Sequence, residues 1–343
     1  MSASDAGTTL RTAAALVRAG LIAAERAEAL DAVAARYPVA VPPALGALIE
    51  PGNPADPIAR QILPDEAELI AAPGETADPI GDDAHSPLPG LVHRYPDRVL
   101  LTPTFTCAVY CRFCFRRERV GEGEGLGPEA LTAALAHIAG RPQIREVILT
   151  GGDPLMLAPR RLGEIVAALD ALPHIEVIRL HSRVPVAAPE RVTPALLAAL
   201  TADTALFLAV HANHPREFAP PARAALRHLA AAGVALLGQS VLLAGINDDE
   251  TTLEALMRAF LACRVKPYYL HQLDAAPGTA RFRVPVARGQ ALMRALHGRL
   301  SGLGIPAYVL DIPGGYGKSP IGPGYLSAAG DEIFDWRGES HRL

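Results

Sequence analysis

Four cysteines in 343 residues are too few for a disulfide framework, and three of the four are clustered. Thiols kept free in this way fit a reducing compartment, so the chain is expected in the cytoplasm. No run of eighteen apolar residues occurs, which excludes an evident membrane span. The N-terminal stretch lacks an uninterrupted apolar segment after basic residues, so no secretory leader is expected. Lys and Arg number 32 against 36 Asp and Glu, a net charge of −4, and that balance carries no nucleic-acid footprint. No internal repeat stands out. What is present is a chain 50% hydrophobic, enough for one large domain or two ordinary ones.

Residues 8–36 place apolar side chains at helical spacing through Leu10, Ala14, Leu16, Leu21 and Leu30. Residues 37–92 are broken by eleven prolines and read as an extended wrap with short helices, not as a second compact core. From residue 98 the pattern changes. Apolar runs at 99–102, 146–149, 176–180, 205–210, 235–241, 267–272 and 307–311 alternate with helical patterns near 128–139, 159–171, 194–201, 220–232, 250–262 and 285–302. Such alternation predicts a parallel sheet with right-handed crossovers. Six βα units form either an open doubly wound sheet or a barrel, and both place active sites at the carboxyl edge of the strands. Polar residues gather there: Gly151-Gly152-Asp153, His181-Ser182-Arg183, His211, Gln239 and His271.

Cys107, Cys111 and Cys114 follow the first of these strands with the spacing C-x3-C-x2-C. Four-iron clusters ordinarily take four thiolates. Three leave one iron open to bind something, just as a catalytic zinc site keeps one position free. A structural zinc site would need a fourth ligand. The remaining cysteine, Cys263, lies at the end of a helical pattern and reads as a buried structural thiol. Gly151-Gly152 lets backbone approach a ligand closely or makes a plain turn. Arg94 and Arg98 flank Tyr95, either as a solvated turn or as a phosphate clamp. Lys318 sits in the glycine-rich segment DIPGGYGKSP. Position 312 is not glycine and Pro320 follows, so a phosphate-cradling Walker loop is excluded. A lysine presented by a flexible loop can instead bond to pyridoxal phosphate (PLP).

The cysteine motif resembles that of the radical S-adenosylmethionine (SAM) superfamily. The ordered set HRYPDRVLL, C-x3-C-x2-CxRR, GGDP, HSRVP, HANHP, QSVLLAGIND, KPYYLHQLD and DIPGGYGKSP resembles the lysine 2,3-aminomutase family from about Pro51 to Tyr325. The resemblance implies a partial (β/α)6 barrel over 93–304, a helical and extended N-terminal wrap over 1–92, and a C-terminal strand with a PLP-lysine loop over 305–343. It implies a 4Fe–4S cluster on Cys107, Cys111 and Cys114, with SAM held by Gly151, Gly152, Asp153, Ser182, Arg183, His211 and Gln239. PLP would bond to Lys318, with Arg94 and Arg98 on its phosphate and Tyr95 also binding it. Arg116 would meet the substrate carboxylate, and Asp274 and Asp311 the side-chain ammonium. Two carboxylates facing a dry cavity are costly without a cation, which independently favours a cationic substrate.

The implied reaction is migration of the lysine α-amino group to carbon 3, with a reduced flavodoxin or ferredoxin as electron donor. Departures qualify the likeness. Only 25 residues follow Lys318 and none is cysteine, and Asp249 stands where longer members carry a cysteine. No zinc is therefore expected, and a homodimer is left open. The short length resembles the branch that makes β-lysine for elongation factor P, whereas DIPGGYGK resembles the free-lysine enzymes. An aminomutase for another amino acid, a radical SAM enzyme without PLP, and a non-catalytic iron–sulfur protein stay open as alternatives.

Overall fold

The structure is a computed structural model that describes residues 7–121 and 125–343. Residues 1–6, part of the stretch read above for a leader, lie outside the described residues. Nine strands form one sheet in sequence order: β1 Leu91–Tyr95, β2 Arg98–Thr104, β3 Glu146–Gly151, β4 Val177–Ser182, β5 Ala205–His211, β6 Ala235–Val241, β7 Lys266–His271, β8 Ala307–Ile312 and β9 Gly317–Pro320. β2 to β8 pair in parallel, while β1 and β9 pair antiparallel at the two ends. Helices Pro128–Ala139, Pro159–Asp170, Pro194–Ala199, Pro220–Ala231, Glu250–Ala262 and Val286–His297 each follow one strand from β2 to β7. These are the six βα units expected from the alternating pattern, and β8 is the seventh parallel strand.

The helices form because their apolar residues recur on one face, as Leu162, Ile165, Val166 and Leu169 do, all buried against the sheet. Proline stands in the first turn of four of them, where its missing N–H costs nothing. Strands covered on both sides become continuous apolar runs, as at Val147, Ile148 and Leu149. Asp249 caps the helix Glu250–Ala262 by accepting the Thr252 N–H at 2.9 Å. Cys263, just past that helix, is buried in the main core.

Three features depart from the sequence reading. Lys318 lies in strand β9, not in a loop: residues 313–316 make a tight turn, and Lys318 pairs across the ladder with Asp311. The N-terminal segment buries an apolar cluster of its own. Leu16, Leu30, Val33, Val41, Leu45, Ile58 and Ile62 pack with Val109, Tyr110 and the cysteine loop. The stretches between its prolines are short but apolar, and short elements suffice once another surface covers them. Third, β1 makes the sheet edge from residues read as preceding the first strand. It meets β9 where the Lys318 N–H donates to Tyr95 Oη at 2.7 Å, so the two ends of the sheet nearly close the barrel. Gly317, at φ +93°, permits that approach, because a Cβ there would lie 2.4 Å from Tyr95 Oη. Residues 332–334 and 340–342 form a separate small hairpin. Among the described residues no helix is long and apolar enough to cross a membrane.

Candidate active site

The loop after β2 carries Cys107, Cys111 and Cys114, and the N-terminal segment grips it. Tyr110 N–H donates to the Ala40 carbonyl at 3.1 Å and Arg112 N–H to the Gln61 carbonyl at 2.8 Å. The Arg112 side chain binds Glu68 through Nε, at 2.9 and 3.0 Å to its two oxygens, and through Nη2. It also donates to the Pro38 carbonyl at 2.8 Å. Arg117 pairs with the same carboxylate and lies 3.6 Å above the Tyr37 ring. Arg112, Arg117 and Glu68 have wholly buried side chains. Glu68 is a functional neighbour that sequence reading missed, because an acidic residue in a proline-broken segment carries no local signal.

Burial pushes the Cys107 thiol well above its ordinary value and that of Cys114 to about 11, with the neighbouring cysteines adding to the rise. Bare thiolates are therefore disfavoured there, and a positively charged metal centre would reverse that preference. The three cysteines line one cavity. Among the described residues, the one set of three His, Cys, Asp or Glu ligand atoms within 4.8 Å of one another is Asp335, Glu339 and His341. Three thiols on one loop match the thiolate ligation of an iron–sulfur cluster that leaves one iron open.

The carboxyl edge of β3 and β4 supports the loop from the other side. Gly151 has φ +101°, and a Cβ there would lie 1.9 Å from Thr102 Cγ2. Gly152 and Asp153 N–H groups donate to the Thr104 and Thr106 carbonyls at 2.8 and 2.9 Å, tying the glycine turn to the start of the cysteine loop. The Asp153 carboxylate accepts from Ser182 Oγ at 2.8 Å and from the N–H groups of Leu155, Arg183 and Val184 at 3.0, 2.8 and 3.2 Å. Asp153 and Ser182 thus satisfy each other and shape the edge, leaving little side-chain capacity for a ligand. Arg183 donates to Cys111 Sγ at 2.9 Å, to Gln61 Oε1 at 2.7 Å and to Glu217 at 2.9 Å. His211 stacks on Phe113, with centroids 5.5 Å apart, and Gln239 lines the same cavity. The Nε2 atoms of His181 and His211 are buried without a partner, as expected of groups that await a ligand.

The other half of the site lies at the sheet ends. Lys318 Nζ forms an ion pair with Asp311 Oδ2 and stands 3.3 Å from His271 Nδ1 and 5.6 Å from the centre of the Tyr269 ring. Burial works against the Asp311 charge, yet its contacts to His271 and Lys318 hold its carboxyl well below the usual range. Among the described residues Asp274 forms no ion pair: burial and the charge of Asp311 push its carboxyl up to about 7, against the opposing charges of Lys318 and Arg116. Arg98 lies 3.6 Å over the Tyr95 ring and donates to Asp97 at 2.7 Å. Arg94 donates to Asp82 Oδ1 at 2.9 Å and to the Ile80 carbonyl at 2.7 Å, while Arg116 donates to the other Asp82 oxygen at 2.8 Å. The buried Asp82, unmarked in the sequence, therefore couples the arginine expected on a phosphate to the one expected on a carboxylate.

The cysteines, Lys318, His271, Asp274, Asp311, Arg94, Arg98 and Arg116 line one cavity of about 780 Å³, within the ordinary range for a ligand site. It runs from the cysteines past Asp274, Asp311 and Lys318 to Arg98, Glu146, Arg179 and Tyr268 near the starts of the strands. Three thiols at one end, a lysine amine in the middle and guanidinium groups along the wall fit an iron–sulfur cluster and PLP in the same chamber.

A three-cysteine loop at the carboxyl edge of a partial (β/α)6 barrel defines a radical SAM protein, and the family model described as "Radical SAM superfamily" matches residues 101–256. The chain is 42% identical over 289 residues to the L-lysine 2,3-aminomutase of Acetoanaerobium sticklandii, covering 84% of this chain and 70% of that one. It is 41% identical to the L-lysine 2,3-aminomutase of Clostridium subterminale, over 86% and 71% of the two chains. A glutamate 2,3-aminomutase of Clostridioides difficile is 35% identical over 91% and 75%. The chain belongs to the lysine 2,3-aminomutase family, whose members are isomerases that use a 4Fe–4S cluster, SAM and PLP.

Proposed function

We propose that this protein isomerises L-lysine to β-lysine by moving the α-amino group to carbon 3. The observation that carries the reading is the position of Asp274, which lines the chamber together with Asp311 and, among the described residues, forms no ion pair of its own. Such a group gains most from a substrate ammonium and would repel a glutamate side chain. Likeness to both lysine and glutamate enzymes does not choose between these substrates, and the paired aspartates favour lysine.

In this reading the cluster with SAM supplies a hydrogen-abstracting carbon radical, and PLP supplies a conjugated carbonyl that binds the migrating amine. Cys107, Cys111 and Cys114 hold the cluster, and the edge formed by Gly151, Gly152, Asp153, Ser182, Arg183, His211 and Gln239 surrounds SAM. Lys318 anchors PLP, while Arg94 and Arg98 hold its phosphate and Tyr95 also binds it. Arg116 orients the substrate carboxylate and Asp274 its ammonium, so carbon 3 is presented in one direction. The electron comes from a reduced flavodoxin or ferredoxin in the cytoplasm. The two β-lysine roles, as free amino acid and for elongation factor P, share this chemistry.

The test is anaerobic reconstitution with iron and sulfide, then incubation with SAM, PLP, dithionite and L-lysine. β-Lysine identified by mass spectrometry and NMR is the expected product, and its absence alongside turnover of another amino acid would overturn the substrate. Lys318→Ala should abolish turnover and the PLP absorbance band while leaving iron content unchanged. Uncoupled SAM cleavage without any isomerised amino acid would favour a different radical SAM chemistry.

A further inference from the structure

Three neighbouring strands bring three ionisable side chains to one point. Lys318 and Asp311 are cross-strand partners on β9 and β8, and their side chains form an ion pair. The parallel register of β7 on β8 sets His271 opposite Val309 and carries its imidazole up beside that pair. His271 Nδ1 lies 3.3 Å from Lys318 Nζ and 3.8 Å from Asp311 Oδ2. An ammonium has no lone pair, so a lysine that is to bond to a carbonyl must first lose a proton. Asp311 favours the ammonium and, as a strongly acidic carboxyl, is a poor acceptor of its proton.

We propose that His271 is the base that frees the Lys318 amine for bonding to PLP, and the acid that returns the proton to the departing oxygen. The inference rests on the reading of Lys318 as the PLP lysine. The Lys318 ammonium gives one proton to His271 Nδ1. The amine lone pair then forms the nitrogen–carbon bond at the pyridoxal aldehyde, and the carbon–oxygen bond breaks. The oxygen leaves as water with one amine hydrogen and the proton from His271, and nitrogen keeps the other hydrogen. No oxidant or reductant is involved.

The surroundings suit the role. His271 is faced by Lys318 on β9, Asp311 on β8, Arg179 and His181 on β4 and His211 on β5. Burial and the Lys318 charge lower its pKa, so the neutral imidazole needed to accept a proton is the resting form near pH 7. Once Nδ1 is protonated, Asp311 stands close enough to balance the new charge.

The test follows PLP capture, not isomerisation, by the visible absorbance that appears when the apo-protein is mixed with PLP across a pH range. His271→Gln should slow capture about 100-fold near neutral pH and confine it to the alkaline range of a free amine. Added imidazole should restore capture to His271→Ala, which a purely structural role would not allow. Wild-type capture should itself rise through an ionisation below pH about 6.5. A wild-type profile that breaks only in the alkaline range, or a His271→Gln protein that captures at the wild-type rate, overturns the proposal. Capture by Lys318→Ala at the wild-type rate would instead overturn Lys318 as the PLP lysine.

Discussion

A buried carboxyl set beside another carboxylate is held toward its protonated form, and Asp274 shows what this does to both stability and binding. Its rise from the ordinary value near 4 to about 7 corresponds to at most ~4 kcal/mol, an upper bound because the side chain is only half-buried against the cavity. The sign follows from the raised value. The stabilising neutral form is fully present below pH about 4 and is lost as pH climbs through about 7. The empty protein should therefore lose stability between those values, and Asp274→Asn should flatten that part of a melting-temperature profile against pH. Lysine binding has the opposite dependence, because it needs the ionised form. The KM for lysine should rise toward tenfold per pH unit below about 7 in the wild type, and Asp274→Asn should raise KM while erasing that slope. A wild-type KM flat from pH 6 to 8 would remove Asp274 from the ammonium site. At this scale the sequence was legible where a residue stands in a distinctive string, as Lys318 and Asp274 do. Asp82 was not, because its role is made by Arg94 and Arg116 arriving from two other segments.

At the scale of elements, the cysteine loop has no regular structure of its own, so its shape is imposed by what grips it. Glu68 is the central contact, since one carboxylate pairs with two buried guanidinium groups. Removing one partner of such a network costs about 3–5 kcal/mol, mainly because the remaining charges stay buried and unpaired. Glu68→Gln should lower the melting temperature and reduce the iron bound after anaerobic reconstitution, even though Glu68 is no ligand. Full iron loading with unchanged stability would show that the loop keeps its shape unaided. The clamp explains why the N-terminal segment was underestimated. Proline spacing describes where chain direction breaks, but not that Ile58, Ile62 and Leu45 meet Val109 and Tyr110 from the loop. The six helices were legible for the opposite reason, since a face such as Leu131, Ala134 and Ile138 is a local pattern. The Lys318 hairpin fell between the two cases. Gly314, Gly315 and Gly317 suggested a loose loop, yet their positive φ values are what a tight turn between two paired strands demands.

On the scale of the whole molecule, the cluster and the lysine sit at opposite ends of the sheet order, β2 against β9, and their joint chamber depends on those ends coming together. The join is narrow. β1 and β9 meet through the Tyr95 hydroxyl, which accepts the Lys318 N–H while its ring carries Arg98. Tyr95→Phe leaves that N–H without its partner, at a cost of about 1–3 kcal/mol, and removes one restraint on where Lys318 stands. Gly317→Ala is the harsher change. It puts a methyl group where Tyr95 Oη lies and forces a left-handed backbone angle on a residue that disfavours it. The N-terminal grip on the cysteine loop comes from Glu68, Gln61 and Ala40, and its other support from Gly152, Asp153 and Arg183, none of which is in this join. The two halves of the chamber should therefore separate in these variants. Both should bind iron like the wild type, Tyr95→Phe should retain PLP less well, and Gly317→Ala should lose it. The check is iron stoichiometry and the PLP absorbance band measured on the same samples after gel filtration. Parallel loss of iron and PLP in Gly317→Ala would mean that the barrel opens as one unit, and that the join at Tyr95 holds the cluster end as well as the lysine end.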